Sequence, residues 1–409
     1  MLAETEELEI VNFDYIDELT WREGRHGSPF ACQLNEAWVL YFPLKDKLIV
    51  LNGTAKIVWD LLSGGLEQRA IASTFSERFG ISYKQAVREV EQLLADLARN
   101  GLLANRHQKN DRTVPTNPHV TDGRVVESNK LADCGVFRFG SSRIRLLSSV
   151  AGLDGSFCLR FQHRAIGDGD GADAVEISGG DSAYRLTYRG KVIAQAPTTY
   201  QVMRQLTELL VRLEHPNRRA LAYCHAGAVS RGARSILMAG GSGVGKSTLT
   251  GFLAAHGFAY LGDDTVAIDY DELALIPLPT RLSIKAGSWS ILEPFYPALR
   301  GRPTHSRYGR SMRYVDPQGD NGSSQTAAEP SAIIFPAYRA GEPTRLTRLR
   351  PLQALIHLLG ANARLSAPAT EEKLTKFVRF VEQTPAYELS YSELPEAMKA
   401  IEELLGSQP

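Results

Sequence analysis

The sequence has little of three features that would each point to a particular class of protein. Its 409 residues include only four cysteines, none in a C-x-x-C pair, so neither a disulfide scaffold nor a zinc knuckle is predicted. No apolar run approaches the roughly eighteen residues of a membrane span, and the acidic start MLAETEELEI does not resemble a signal peptide. Basic and acidic residues balance at 46 each, so no net field favours nucleic acid or an anionic membrane. We therefore expect a cytoplasmic protein with reduced thiols that binds neither nucleic acid nor membrane.

The composition indicates a globular chain, with 43% apolar and 22% charged residues, and the length suits two or three domains. We place a first domain at 25–104 and a larger one at 130–409. The segment 105–129 between them is polar and aperiodic and is predicted to be a linker. Within the larger domain, 130–220 is rich in β-type runs, and 221–409 carries the motifs of a nucleotide-binding core.

The first domain has the pattern of a hairpin followed by three helices. The runs AWVLYF and KLIVL predict two paired strands. Thr54 is expected to cap the first helix, which Gly64 and Gly65 end. A second helix follows in EQRAIASTFSERFG, and the third carries one apolar stripe, made by Ala86, Val90, Leu93, Leu94 and Leu97. This order is typical of a winged-helix-like α+β domain.

These segments together resemble the PqqD-like peptide chaperones, the recognition elements for ribosomally made, modified peptides. The resemblance implies that a precursor peptide adds its leader as a strand to the hairpin edge at 38–51 and rests on the helix at 82–100. The alternative is a winged helix that binds DNA. The third helix mixes acidic with basic residues, which suits a phosphate backbone poorly.

The β-rich stretch predicts five strands, in VFRF, RIRLL, SFCLRF, AVEI and YRLTY, followed by the helix TTYQVMRQLTELLVRL. It also contains DGDGAD at 168–173, which has some likeness to a calcium loop. The EF-hand spacing would put Ala172 and Gly179 at ligand positions, so we interpret this segment as a hairpin loop.

The clearest motif is GGSGVGKST, which follows the apolar run ARSILMA and precedes the helical pattern STLTGFLAAHG. It satisfies G-x-x-x-x-G-K-[ST], in which backbone N–H groups and a lysine hold phosphates while a hydroxyl ligates Mg²⁺. The sequence therefore predicts that ATP and Mg²⁺ bind here. The residues expected to contact the nucleotide are Gly240, Gly241, Ser242, Gly243, Val244, Gly245, Lys246, Ser247 and Thr248.

Two further elements are predicted to join this loop. Asp263 and Asp264 end an apolar run seventeen residues after Lys246, a distance that suits one helix and one returning strand. There, one carboxylate can hold Mg²⁺ and the other can accept a proton from an attacking hydroxyl. His225 in CHAGAV precedes the loop by fifteen residues. A lone histidine is more often structural than catalytic.

The combination of CHAGAV, GGSGVGKST and LGDDTVA resembles the HPr kinase/phosphorylase family, and in particular its shorter relatives found beside modified-peptide genes. The resemblance spans roughly 130–405 and implies an α/β P-loop kinase domain of the HPr kinase/carboxykinase type. It implies catalytic roles for Lys246, His225 and the aspartates. The sequence does not decide between the aspartates, and the working assignment gives proton transfer to Asp263 and Mg²⁺ to Ser247 and Asp264.

The function predicted from both halves is an ATP-dependent kinase for a Ser, Thr or Tyr hydroxyl of a precursor peptide. Three alternatives stay open: a kinase for a small molecule such as a free amino acid, a relative of the ATP-dependent carboxykinases, and a non-catalytic ATP-binding peptide chaperone. The arginine-rich segment from Arg300 to Arg313 either closes over the phosphoryl group or forms a solvated loop. The peptide, the acceptor residue and any homo-oligomer are left open.

Overall fold

The computed structural model describes residues 29–42, 47–99, 131–150, 153–167, 169–179, 183–307, 309–318 and 329–407. These residues belong to two compact units. The first contains 29–99 together with Arg350–Glu382, and the second contains 131–349 and 383–407. The first unit thus includes a segment that the sequence analysis assigned to the larger domain. The linker predicted at 105–129 lies outside the described residues.

The strands and helices, numbered along the chain, have the following bounds. The strands are β1 Phe30–Leu34, β2 Ala37–Phe42, β3 Lys47–Asn52, β4 Ala132–Phe139, β5 Ser142–Ser148, β6 Ala165–Ile166, β7 Asp173–Gly179, β8 Tyr184–Tyr188, β9 Lys191–Ala196, β10 Ala220–Cys224, β11 Ala226–Arg231, β12 Arg234–Ala239, β13 Ala259–Gly262, β14 Val266–Asp269, β15 Leu275–Ile276, β16 Leu282–Lys285, β17 His305–Arg307, β18 Arg310–Val315, β19 Glu329–Tyr338, β20 Arg345–Leu349, β21 Arg364–Leu365 and β22 Ala386–Tyr391. The helices are α1 Gly53–Ser63, α2 Gln68–Phe79, α3 Tyr83–Arg99, α4 Leu153–Phe161, α5 Thr199–Glu214, α6 Lys246–Ala255, α7 Trp289–Leu292, α8 Pro351–Gly360, α9 Glu371–Gln383 and α10 Leu394–Ser407.

The part of the first unit between residues 29 and 99 confirms the predicted hairpin and three helices and adds the strand β1. The three strands form an antiparallel sheet in the order β1-β2-β3. The cap of α1 differs from the prediction, because β3 leads directly into the helix. Asn52, and not Thr54, is the N-cap, and its side chain accepts a hydrogen bond of 2.8 Å from the backbone N–H of Ala55.

The apolar stripe of α3 forms part of the core of the first unit, as predicted. Ala86, Val90, Leu93 and Leu97 are buried and pack with residues from β2, β3, α1 and α2. Leu94 is only half-buried at the margin of that core. The helix therefore buries a period-3.6 stripe and leaves its charged residues other than Asp96 exposed.

The β-rich part of the second unit is one sheet with the strand order β6-β4-β5-β7-β8-β9. One predicted strand is wrong, because SFCLRF belongs to the helix α4. Phe157 and Phe161 are four residues apart, and their rings meet Phe137 and Phe139 at 5.8 and 5.4 Å. A short apolar run fits either secondary structure, and here packing onto β4 selects the helix. The predicted hairpin loop at 168–173 is wrong, because the strands on either side of it do not pair with each other: β6 pairs with β4, and β7 pairs with β5 and β8.

The sheet that carries the motif has the order β13-β11-β12-β19-β22-β20. Strands β12, β19 and β22 are parallel, while β11 is antiparallel to both β12 and β13. The chain therefore leaves β12, β13, β19 and β22 at one common edge, and β11 starts there. This edge, which we call the carboxyl edge, collects the residues that follow those strands.

The helix α6 packs on one face of this sheet. Leu249 and Leu253 join a buried cluster with Val229 and Met238 of the sheet. Gly227 on β11 permits the close approach, because a Cβ there would lie 2.2 Å from the Thr250 hydroxyl oxygen. The absence of a side chain at Gly227 therefore lets α6 lie close to the sheet.

Two features of the described residues concern expectations from composition. None of their helices has the length and apolar content needed to cross a membrane. All four cysteines are free thiols, as predicted, and they are Cys32, Cys134, Cys158 and Cys224.

Candidate functional site

The loop between β12 and α6 confirms the predicted strand, loop and helix order. Three of its glycines have left-handed or otherwise positive φ: Gly240 at 150°, Gly243 at 101° and Gly245 at 97°. Residues other than glycine rarely adopt such φ angles, so the backbone conformation of the loop depends on these three glycines. Gly245 is also the N-cap of α6, and its carbonyl accepts the first helical hydrogen bond, from Leu249.

Gly245 has a second reason to lack a side chain. A Cβ at this position would stand 2.5 Å from the hydroxyl oxygen of Tyr391, which ends β22. The next residues, Lys246 to Thr248, start the helix with N–H groups that have no partner inside it. Such a helix start provides donors and positive potential for an anion.

Lys246 lies inside the loop and is only 6% exposed. Its ammonium donates to the backbone oxygens of Gly240 at 2.6 Å and Gly241 at 2.8 Å. Burial lowers the pKa of Lys246 to about 8, although the carboxylates of Asp263 and Asp264 oppose that shift. The ammonium is therefore held at the loop, where it could exchange its hydrogen bonds to the two carbonyls for hydrogen bonds to a phosphate.

Ser247 and Asp263 meet directly. The Ser247 hydroxyl donates to Oδ1 of Asp263 at 3.1 Å, and Asp263 is 1% exposed. Its second oxygen, Oδ2, is buried and has no hydrogen-bond partner. Burial, and next the charge of Asp264, raise the pKa of Asp263 above its usual value. A buried carboxylate oxygen of this kind is satisfied when a cation or a bound water faces it.

Asp264 takes a different set of partners. Its carboxylate lies 3.0 Å from Arg160 Nη1 of α4 and 3.1 Å from His225 Nδ1. His225 Nδ1 also lies 2.8 Å from the Asp264 backbone oxygen. The φ of Asp264 is 75°, an angle that non-glycine residues seldom adopt outside constrained sites. The aspartate is thus held with its carboxylate partly exposed beside a histidine and an arginine.

Two more cations reach the tip of the loop. Lys285, at the end of β16, donates to the Ser242 hydroxyl at 2.8 Å, and Arg310 Nη1 lies 3.0 Å from the same oxygen. Burial and the neighbouring Arg310 lower the pKa of Lys285. Two positive groups on one neutral hydroxyl form a place that favours an anion.

The arginine-rich segment divides into one residue at the loop and others elsewhere. Arg310 contacts Ser242, whereas Arg300 pairs with Glu293 and Arg302 with Asp316. Arg313 stacks over the Trp289 ring at 3.9 Å. The side chain of Arg307 lies outside the described residues. The two readings of this segment both stay open, with Arg310 the member that bears on the first.

Magnesium fits the residues at this site. Ser247 Oγ and the unpartnered Oδ2 of Asp263 are oxygen donors of the kind that Mg²⁺ prefers, and phosphate oxygens with waters complete such a shell. No group of three or more His, Cys, Asp or Glu side chains suited to a metal occurs in the part of the chain described. The expected ion needs only two protein ligands, so this finding leaves the prediction as it stood.

The structure brings together the predicted site residues Lys246, Ser247, Asp263, Asp264 and His225 at the carboxyl edge. Thr248 turns aside, with its hydroxyl 2.7 Å from that of Ser288. Arg160 and Lys285 were not among the site residues predicted from the sequence. Arg160 lies in the run misread as a strand, and Lys285 is 43 residues from its partner Ser242. No local pattern could have revealed either contact.

The comparisons with known proteins bear on the first unit. Residues 37–103 match the family described as coenzyme PQQ synthesis protein D (PqqD). The N-terminal domain is PqqD-like. The match covers β2 to α3 and ends before the carboxyl-edge residues, so the resemblance of 130–405 to HPr kinases stays a prediction. No curated protein matches the chain.

Proposed function

We propose that this protein is an ATP- and Mg²⁺-dependent kinase that phosphorylates a hydroxyl of a precursor peptide held by its PqqD-like domain. The PqqD-like domain supports a role in modified-peptide or PQQ-type biosynthesis and is consistent with a peptide partner. The kinase part of the proposal depends on the carboxyl edge. The observation that carries it is the contact of Ser247 with Asp263, whose second oxygen is buried without a partner, beside Lys246.

The contacts favour an exchange of the two aspartate roles in the working assignment. Asp263 touches the loop hydroxyl that would ligate Mg²⁺, so we assign Asp263 with Ser247 to the metal. Asp264 is partly exposed and is oriented by Arg160 and His225, so we assign it to the acceptor hydroxyl. In phosphoryl transfer such a carboxylate orients the nucleophile and accepts its proton.

The remaining cations would stabilise the transferred group. Lys246 would leave the carbonyls of Gly240 and Gly241 for the terminal phosphates. Lys285 and Arg310, both on Ser242, would neutralise charge on the phosphoryl oxygens. Phosphoryl transfer needs little covalent work from the protein, so a domain that holds the acceptor nearby contributes by raising its effective concentration.

Mass spectrometry of a precursor peptide encoded beside this protein, after incubation with the protein and MgATP, tests the proposal. A gain of about 80 Da per phosphoryl group is expected. Lys246→Ala should abolish the gain, and the surface variant Asp271→Asn should retain it. ATP binding without any mass gain would favour the non-catalytic chaperone. A mass gain on a free amino acid but not on the peptide would favour the small-molecule kinase.

A further inference from the structure

The carboxyl edge has two sides relative to the loop. Asp263, Asp264 and His225 lie on the β11 and β13 side of β12. On the other side, β19 and β22 end in the paired residues Tyr338 and Tyr391. The roles proposed above include no residue of β19 or β22, which leaves the two tyrosines without a function.

Tyr391 and Tyr338 differ sharply in burial. Tyr391 is 2% exposed and stands against the backbone at Gly245, while Tyr338 is 57% exposed. Their rings meet edge to face, with centroids 5.9 Å apart and planes at 74°. The Cβ of Tyr338 would lie 3.9 Å from a Cβ placed on Gly245. The buried ring therefore supports an exposed ring beside the start of α6.

The proposed function, taken with these two sides, suggests a direction for a bound triphosphate. The Ser247 hydroxyl donates to Asp263 on the first side, and Lys246 precedes Ser247 in the same loop, so the proposed kinase would hold the terminal phosphates there. A phosphate chain that ran from there across the start of α6 would bring its other end beside Gly245, where Tyr338 is an exposed neighbour. In a nucleotide that end carries the ribose and the base.

We infer that Tyr338 is the platform on which the base of the bound nucleotide stacks, with Tyr391 as its support. An exposed aromatic face next to a phosphate loop suits the flat, apolar surface of a nucleobase. Stacking recognises any base through its π face, so this residue contributes affinity without choosing adenine over guanine. The inference rests on the proposed function, because it requires a nucleotide at the loop.

Calorimetry on the full chain can separate the base from the phosphates. Wild-type protein is titrated with MgATP, MgGTP and magnesium tripolyphosphate, which has the phosphates but no base. We expect Tyr338→Ala to weaken ATP and GTP binding by about ten- to a hundredfold and to leave tripolyphosphate binding unchanged. Tyr338→Phe keeps the ring and should stay within about threefold of wild type.

The matched control is Tyr200→Ala, which removes an equally exposed tyrosine, also 57%, from α5. It should alter none of the three affinities, and thermal unfolding checks that each variant folds. Loss of ATP and tripolyphosphate binding together in Tyr338→Ala, or loss of neither, overturns the inference. Wild-type protein that binds tripolyphosphate as tightly as ATP also overturns it but spares the kinase proposal, whereas binding of neither ligand ends both.

Discussion

The PqqD-like domain and the carboxyl edge use their buried positions in opposite ways. Among the described residues between 29 and 99, the buried side chains are apolar apart from Asp96, which is 9% exposed. At the carboxyl edge, Lys246 and Asp263 are buried charges, and Asp264 adopts a strained backbone. The first region can bind a partner through its surface shape and its strand edges. The second concentrates buried charges, which are costly to desolvate, at one place. Changes in the first region are therefore expected to weaken peptide binding, and changes at the carboxyl edge to slow the chemical step.

The largest expected effect is on the chemical step. Asp264→Asn keeps the shape but removes the proposed proton acceptor, so kcat should fall by about 10²- to 10⁴-fold with little change in ATP affinity. Single-turnover kinetics and calorimetry measure the two quantities. Asp263→Asn should instead raise the Mg²⁺ concentration needed for activity. The reverse pattern would restore the original assignment of the two aspartates.

The next effect concerns the PqqD-like domain. A precursor peptide without its leader should lose about 10²- to 10³-fold in kcat/KM, mostly through KM, because the acceptor is no longer tethered near the site. Steady-state kinetics with full-length and truncated peptides measure this loss. A peptide with a scrambled leader of equal length is the control. Equal kcat/KM for all three peptides would mean that the two regions do not cooperate on one substrate.

A pair of glycine variants compares the backbone of the two regions. Gly245→Ala combines a φ of 97° with a Cβ 2.5 Å from the Tyr391 hydroxyl, and should cost about 2–3 kcal/mol of unfolding free energy. Gly65→Ala in the first unit has a φ of 85° but nothing within 4 Å, so about 1 kcal/mol is expected. Urea unfolding measures both. Equal losses of unfolding free energy in the two variants would show that the Tyr391 hydroxyl moves away from the new Cβ at little cost.

The smallest effect is a pH dependence confined to the carboxyl edge. If ATP binds as proposed, its phosphates would favour the charged ammonium of Lys246, whose pKa is lowered by burial to about 8. Below that pH the lysine is already protonated. Above it, binding must take up a proton, so affinity should fall by up to about tenfold per pH unit. Calorimetry between about pH 7.5 and 9.5, in buffers of different ionisation enthalpy, reports affinity and proton uptake.

Lys246→Arg is the control for this dependence, since its guanidinium stays charged throughout the range. It should take up no proton, whatever its affinity. A wild-type protein without proton uptake above pH 8 would mean either that the ammonium is already charged before ATP binds or that it does not bind the phosphates. Leader binding is expected to be insensitive over the same range, because it is expected to use backbone hydrogen bonds.

The sequence predicted elements well wherever a local pattern decides them. The stripe of α3, the hairpin of β2 and β3, and the order of β12, loop and α6 follow from periodicity and from glycine positions. The errors fall where two local solutions are close in energy. SFCLRF fits a strand or a helix, and Asn52 and Thr54 both suit a helix cap.

What the sequence determined by itself is the identity of the groups at the loop. Lys246, Ser247 and the adjacent Asp263 and Asp264 are fixed by motif and spacing, because one helix and one strand must return the chain to the same edge. What only the tertiary structure decided is which group faces which. Arg160 meets Asp264 and Lys285 meets Ser242 because separate segments pack against this edge. Side-chain partners are chosen by packing over long sequence distances, and no local pattern encodes those distances.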